Sequence, residues 1–175
     1  MKNLDVCLII VGISLVTGLP PAFSDSKTIT TDSRAVIGPI LELTISQQGQ
    51  SELKFGNIQP SASGSTQVGP VVMVINVNAN TGERYQVTQT MSGALENASG
   101  SKLDLTNLKF TTAASKSNGI VVSSPTQVSG SAQVIFTSDA LGSSDTISTE
   151  YTLTVPPTQD PGDYSANLTY TVSSL

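Results

Sequence analysis

The residue types that carry most enzyme chemistry are scarce in this sequence. It contains no histidine, and its one cysteine, Cys7, lies in an apolar segment close to the N-terminus. Histidine is the commonest general base, and histidine and cysteine are the usual zinc ligands, so the ordinary Ser-His and Cys-His pairs and zinc sites are excluded. Ser51 and Lys54 have the Ser-x-x-Lys spacing, but residues three apart on a strand face opposite sides of a sheet. We therefore predict that the protein is not an enzyme, with no catalytic residue and no cofactor.

Carboxylate ligands for calcium are present in two segments that resemble turns. Asp139 and Asp145 lie in one of them, and Asp160 and Asp163 lie in the other. Calcium takes several oxygen ligands, which binding loops supply at a dense and regular spacing. Neither segment has that spacing, so we interpret both as solvated turns and predict no metal site.

Aromatic side chains that could stack on sugars are few, because tryptophan is absent and only four tyrosines occur. Exposed flat rings match the apolar faces of sugars, whereas tyrosines that alternate in step with Val, Leu and Ala belong to a core. The alternation places all four on apolar faces and so predicts core positions for Tyr85, Tyr151, Tyr164 and Tyr170.

The N-terminal segment has the pattern of a secretory signal peptide. A short basic start leads into the apolar run Val6 to Leu19, Pro20-Pro21 ends it, and Ala22 and Ser24 are small residues where a signal peptidase requires them. The run is shorter than the about 20 residues that span a bilayer, so a retained anchor is disfavoured. We predict cleavage after Ser24, no stable membrane span afterwards, and a location in the periplasm, at the cell surface or outside the cell.

The composition excludes some partners and favours short strands. The net charge is −5, the pI is about 4.4, and no basic cluster occurs, which argues against nucleic acid. Only 12% of the residues are charged, which suits strands with Ser, Thr and Asn outside better than long amphipathic helices.

Alternation of apolar and polar residues recurs along the chain, with turn residues between the alternating segments. The pattern predicts a single immunoglobulin-like antiparallel β-sandwich of about 8–9 strands over residues 37–175, preceded by a signal peptide (1–24) and a polar arm (25–36). A weak strand is expected at Leu53 to Phe55, and Gln89 is expected to end or bulge its strand. The residues predicted to be buried include Leu43, Val77, Tyr164, Leu168 and Tyr170.

Three segments together resemble a known group of secreted bacterial sandwiches. They are Ile37 to Leu43 with Leu53 to Pro60, Asn80 to Val87, and Asp160 to Ser165 followed by alternation to the C-terminus. The chain is similar here to spore-coat-U-type pilin subunits and a related uncharacterised domain family, which carry an L-x-F-G element after the first strand and a G-x-Y element at the last. The resemblance implies structural roles for Phe55, Gly56, Gly162 and Tyr164, with the glycines in tight turns and Tyr164 anchoring the final strand. Such subunits often have a disulfide near the first strand, which this chain lacks.

Two classes of function follow from these observations. The resemblance implies a non-enzymatic structural or adhesive protein of the bacterial cell envelope, similar to a pilus subunit, whose partners are other protein subunits, either copies of itself or envelope proteins. Strand pairing would use the arm as donor, since one of its faces carries Ile29, Thr31, Ser33, Ala35 and Ile37. The alternative is a stand-alone extracellular binding module for a glycan or a protein ligand.

Overall fold

The computed structural model describes residue 35 and residues 37–46, 53–116 and 119–175. The predicted signal peptide, and all of the predicted arm except Ala35, lie outside the described residues. Residues Ile37–Leu175 form one compact unit.

Regular structure in this unit is almost entirely β. One 3-10 turn, Leu105–Asn107, is capped by Asp104, whose side chain accepts a hydrogen bond from the Thr106 N–H at 2.8 Å. The strands are β1 (Leu41–Ser46), β2 (Thr66–Ala79), β3 (Tyr85–Met91), β4 (Leu95–Glu96), β5 (Lys102–Leu103), β6 (Leu108–Ala114), β7 (Ile120–Val121), β8 (Thr126–Gln127), β9 (Gln133–Thr137), β10 (Asp145–Val155) and β11 (Leu168–Ser174).

Two antiparallel sheets account for nine of these strands. The first has the order β1-β2-β10-β6-β8 and the second the order β11-β3-β9-β7, while β4 and β5 form a separate two-stranded ribbon. In immunoglobulin order, β1, β2, β10 and β6 take positions A, B, E and D, and β3 and β11 take positions C and F. The predicted antiparallel β-sandwich is confirmed.

The core lies between the inward faces of the central strands. In β10 every second residue from Asp145 to Val155 is buried, and β3 alternates in the same way from Tyr85 to Met91. Two ring pairs fill the space between the sheets, Tyr85 with Phe136 at 5.9 Å and Phe110 with Tyr151 at 6.2 Å between centroids. Full burial of one such side chain stabilises the fold by about 1.5–3 kcal/mol, so these strands hold the sandwich together.

A bulge divides the long strand β2. The register with β10 shifts between Tyr151 and Leu153, opposite Gly69-Pro70. Gly69 has φ 116, and a Cβ at this position would lie 2.6 Å from the carbonyl oxygen of Tyr151. Proline has no N–H to donate to a ladder, so the irregular pairing falls where the ladder could not be completed.

Two local expectations from the sequence are wrong. Gln89 does not end β3: it is fully buried, and the register irregularity with β9 falls between Val87 and Thr88. A hydrogen bond inside the core satisfies its side-chain oxygen, while its Nε2 is buried with no hydrogen-bond partner among the described residues. The segment from Leu53 to Phe55 forms no strand, although both of these side chains pack half-buried against the core.

Candidate functional site

The two sheets each end in an edge strand on the same side of the sandwich. β1 is the outermost strand of the first sheet and β11 that of the second, and Cα atoms of the two strands come within 8 Å of each other. An immunoglobulin domain places strand G beside strand F. In the part of the chain that the structure describes, no strand pairs with the outer edge of β11.

The apolar side chains at this place are less buried than their counterparts elsewhere. On the central strands, inward residues such as Ile75, Val87 and Ile147 are 0% exposed. On the two edge strands the inward residues are half-buried, although their chemistry is the same and they pack on the same core. We call them the β1–β11 groove, which consists of Leu41, Leu43 and Ile45 of β1 and Leu168, Tyr170 and Val172 of β11.

This arrangement corrects the expected core. Val77 is buried at 1% exposure, as predicted. Leu43, Tyr164, Leu168 and Tyr170 are half-buried instead. Alternation identifies the face on which a side chain lies, but a residue on an edge strand is covered from one side only.

A chain of polar groups crosses the core beneath the groove. Tyr170 lies directly opposite Gln89 in the β11–β3 ladder. Its hydroxyl is 2.7 Å from the hydroxyl of Tyr151, which lies on β10 in the other sheet, and the Tyr151 hydroxyl donates to Gln89 Oε1 at 2.5 Å. Tyr170 is therefore the one groove side chain with a polar group, and its hydroxyl bonds to Tyr151 within the core.

Burial dominates the ionisation of both phenols. It raises the pKa of Tyr170 to about 12, and the hydrogen bond with Tyr151 lowers that pKa in part. Burial also raises the pKa of Tyr151, and the neighbouring Tyr170 raises it further through charge repulsion and its hydrogen bond. Both hydroxyls are neutral hydrogen-bonding groups at physiological pH.

The predicted Gly162–Tyr164 element forms the turn that precedes β11. Tyr164 donates its hydroxyl hydrogen to the carbonyl oxygen of Asp160 at 2.9 Å, which is the bond of a tyrosine corner. Asn97 approaches the same turn from the β4–β5 ribbon, and its Nδ2 lies 3.3 Å from Tyr164 Oη. Gly162 has φ 148, and a Cβ there would be 2.8 Å from Asn97 Nδ2, so this position favours glycine.

Asn97 was not identified as a structural residue from the sequence. It is 8% exposed, its Oδ1 accepts the N–H groups of Ser99 and Ser101, and its Nδ2 reaches the carbonyl oxygen of Pro161. The local signal was the Asn-Ala-Ser-Gly turn. Its contact with the turn at Pro161 joins distant parts of the chain and leaves no local pattern.

The other predicted element, Phe55-Gly56, lies in a segment without regular secondary structure or strand pairing. Phe55 is half-buried against the core, and Gly56 has φ 73 with no atom within 4 Å of the place of a Cβ. The conformation of the backbone, and not a close contact, therefore favours glycine here.

Asn80 holds the chain where it leads into β1. Its Nδ2 donates to the carbonyl oxygen of Gly38 at 3.1 Å, its Oδ1 accepts the N–H of Ile40, and its own N–H donates to the carbonyl oxygen of Ile40 at 3.1 Å. The pairing of β1 with β2 is thus continued past Leu41. Of the predicted donor residues, Ala35 is exposed and Ile37 is 82% exposed, while Ile29 and Thr31 lie outside the described residues.

The aspartates form local hydrogen bonds. Asp139 accepts the N–H and the hydroxyl of Ser143, and the N–H bond holds the pKa of its carboxyl below the usual value. Asp145 accepts from Ser115, and Asp160 accepts from Ser101. Among the described residues, no three Asp, Glu, His or Cys side chains come together in a way that could hold a metal ion.

A shallow polar pocket of about 400 Å³ lies beside the β4–β5 ribbon. Its lining includes Ser92, Asn167, Glu96 and Lys102. Glu96 and Lys102 form an exposed ion pair at 3.6 Å. Its lining contains no aromatic ring. Tyr85 and Tyr151 are buried and Tyr164 and Tyr170 half-buried, so the tyrosines offer no exposed stacking platform for a sugar.

Comparison of the chain with protein-family models gives no match, and comparison with the curated proteins gives none either. Within the described residues, no helix has the length and apolar character needed to cross a membrane.

Proposed function

We propose that this protein is a structural subunit of the bacterial cell envelope, similar to a pilus subunit, which assembles by strand pairing with further copies of itself. Residues 25–36 of one copy are the donor arm, and the β1–β11 groove of the next copy is the acceptor. The observation that carries the proposal is the half-buried apolar groove beside an edge of β11 with which no described strand pairs.

The groove has the two properties that bind an added strand. An edge strand presents backbone N–H and C=O groups that can pair with another chain. Alternate side chains of the added strand then pack between the side chains that form the floor of the groove, and these contacts give the interaction its specificity. Here the floor is formed by Leu41, Leu43, Leu168 and Val172, whose remaining exposure an inserted strand would remove.

The arm of a second copy is the occupant that the chain itself offers. Its alternation puts Ile29, Thr31, Ser33 and Ala35 on one face, as a strand over an apolar floor requires. The bonds from Asn80 hold Gly38 and Ile40 in line with β1. Insertion into a copy's own groove would require the chain to reverse direction before this held segment, so donation to a neighbour is favoured.

Export belongs to the same proposal. The signal-peptide pattern of residues 1–24, the acidic charge and the resemblance to spore-coat-U-type pilin subunits support a subunit that functions in the envelope or outside the cell. The lack of histidine and of an exposed tyrosine platform supports a role in assembly over catalysis or sugar binding.

Deletion of residues 25–36 tests the proposal. We expect the shortened chain to stay folded by circular dichroism and to remain monomeric in size-exclusion chromatography, while the intact chain forms linear assemblies visible by electron microscopy. The shortened chain retains its groove but lacks a donor, so adding it to the intact chain should shorten the assemblies.

The matched control is Thr30→Val, because Thr30 lies on the opposite face of the arm from the predicted donor residues. This variant should assemble like the intact chain. An intact protein that stays monomeric at high concentration, with or without a co-expressed chaperone, would refute strand donation and favour the binding-module alternative.

A further inference from the structure

The direction of the hydrogen bonds beneath the groove follows from the chemistry of their atoms. Gln89 Oε1 carries no hydrogen, so Tyr151 must donate its single hydroxyl hydrogen to it. Tyr151 then has no hydrogen left for Tyr170, and in their shared bond Tyr170 is the donor. The hydrogen of the Tyr170 hydroxyl is therefore already used, and its oxygen can still accept a hydrogen bond.

That acceptor belongs to Tyr170, the one groove side chain that carries a polar group. Tyr170 stands between Leu168 and Val172 on the inward face of β11 and is half-buried. Apart from the bond with Tyr151, no described residue forms a hydrogen bond with Tyr170 Oη. A strand inserted over Tyr170 would cover the exposed remainder of this side chain, and a buried acceptor without a donor is costly.

We infer that the inserted strand presents a hydroxyl group to Tyr170 Oη, and that Thr31 of the donor arm supplies it; the inference rests on the proposed function. Two residues on the donor face carry hydroxyls, Thr31 and Ser33. With Thr31 at the centre, Ile29 lies over one of the apolar neighbours of Tyr170. With Ser33 at the centre, no residue larger than threonine lies beside it, so less apolar surface is covered.

Tyr170 is thus a specificity-determining residue that sets the register of the added strand. Pairing on β11 by backbone bonds alone would permit a slip by two residues, because such a slip keeps the same face inward. A slip that moves Ile29 over Tyr170 would bury the acceptor against an apolar side chain. The single polar position in an otherwise apolar groove therefore distinguishes one register from its neighbours.

Binding of fluorescent peptides to the purified chain that lacks residues 25–36, whose groove has no donor arm to fill it, tests the inference. The peptides span residues 25–37, as the natural sequence and with Thr31→Val, Ser33→Ala or Thr30→Val, and fluorescence anisotropy gives each Kd. Valine has the shape of threonine without the hydroxyl, so we expect Thr31→Val to weaken binding about three- to tenfold, the loss of one net hydrogen bond. Thr30→Val, on the opposite face, should bind like the natural peptide.

The same peptides on the Tyr170→Phe protein provide the second comparison. Phenylalanine removes the acceptor, so the natural and Thr31→Val peptides should bind this variant with equal affinity. A denaturant melt establishes that the variant is folded. If this variant does not fold, the comparison of the Thr31→Val and Thr30→Val peptides on the protein that retains Tyr170 still shows whether the Thr31 hydroxyl contributes to binding.

The outcomes distinguish failure of the proposed strand donation from failure of the role assigned to the Thr31 hydroxyl. If the natural peptide does not bind, the arm is not the ligand of the groove, and the proposed function falls together with the inference. If all four peptides bind equally, strand donation stands and the role of the hydroxyl is refuted. If Ser33→Ala weakens binding and Thr31→Val does not, the register assigned to Thr31 is wrong.

Discussion

At the scale of single residues, hydroxyl groups in the core differ mainly in whether they have a partner. Thr112 donates to the carbonyl oxygen of Ile135 at 3.0 Å and accepts the N–H of Val122 at 2.6 Å. Thr149 lies opposite Thr112 in the β10–β6 ladder, and its hydroxyl has no hydrogen-bond partner among the described residues. The two residues are alike in type and burial, so their comparison isolates the value of satisfying a buried hydroxyl.

Replacement of each threonine by valine should therefore have different effects. Thr112→Val leaves a backbone N–H and a carbonyl group without their partner and should cost about 1–3 kcal/mol of unfolding free energy. Thr149→Val removes a hydroxyl that makes no bond and should be neutral, or stabilising by up to about 1 kcal/mol. Urea denaturation of both variants measures the difference; equal losses would show that Thr149 has a partner in solution.

The phenol groups predict a loss of stability at alkaline pH. Burial, followed by the charges of Asp145 and Asp139, raises the pKa of Tyr85 to about 12, and burial raises that of Tyr170 to about 12. In the unfolded chain these groups titrate near the usual value of about 10. Folding thus favours the neutral form, so their contribution to stability is complete below about pH 10 and is lost as the pH rises towards 12.

Denaturant melts between pH 8 and pH 11.5 measure this loss, and Tyr151→Phe provides the comparison. Burial also raises the pKa of Tyr151, so removal of its phenol should make the decline above pH 10 less steep. Lysines titrate in the same range but are identical in the two proteins. Parallel curves for the two proteins would contradict a raised pKa at Tyr151.

At the scale of the elements, the central and edge strands carry similar residues with different burial. Ile147 of β10 is 0% exposed, whereas Leu168 of β11 is half-buried. The strand order explains the difference, because β10 has neighbours on both sides, while β11 has a described neighbour on the β3 side alone.

Truncation of these side chains should follow their burial in the monomer. Ile147→Ala should cost about 2–5 kcal/mol of unfolding free energy, and Leu168→Ala half of that, about 1–2.5 kcal/mol. Thr169→Ala, on the exposed face of β11, should change stability by less than about 0.5 kcal/mol. Urea denaturation of the monomeric variants measures these three changes in unfolding free energy. A cost for Leu168→Ala as large as for Ile147→Ala would mean that the groove is already covered in solution.

At the scale of the whole molecule, the proposal requires that the arm lie at the N-terminus of the exported chain. Cleavage after Ser24 would place Asp25 first and leave residues 25–36 ahead of the sandwich. We expect the N-terminal sequence of the exported protein to begin at Asp25, and its intact mass to equal that of residues 25–175. A protein that retains residues 1–24 in the membrane fraction would have an anchored arm and would contradict this prediction.

The sequence by itself determined the fold class and the facing of the strands. Alternation is local, because successive side chains of a strand point to opposite faces, so Tyr85 to Met91 and Leu168 to Val172 could be assigned their inward residues. The absence of histidine likewise excluded histidine as a general base or a metal ligand without reference to the fold. The expectation for Gln89 was wrong for the same reason, because a local pattern does not show that a partner for its side-chain oxygen lies on another strand.

The tertiary structure alone decided which strands lie at the edges and which distant side chains meet. Burial of Leu43 and Leu168 depends on the neighbours of β1 and β11, and these come from strand order, not from the residues of the strand itself. The bond between Tyr151 and Gln89 joins residues 62 positions apart. Pairing over such a separation depends on how the chain closes on itself, and short-range patterns of polarity carry no record of it.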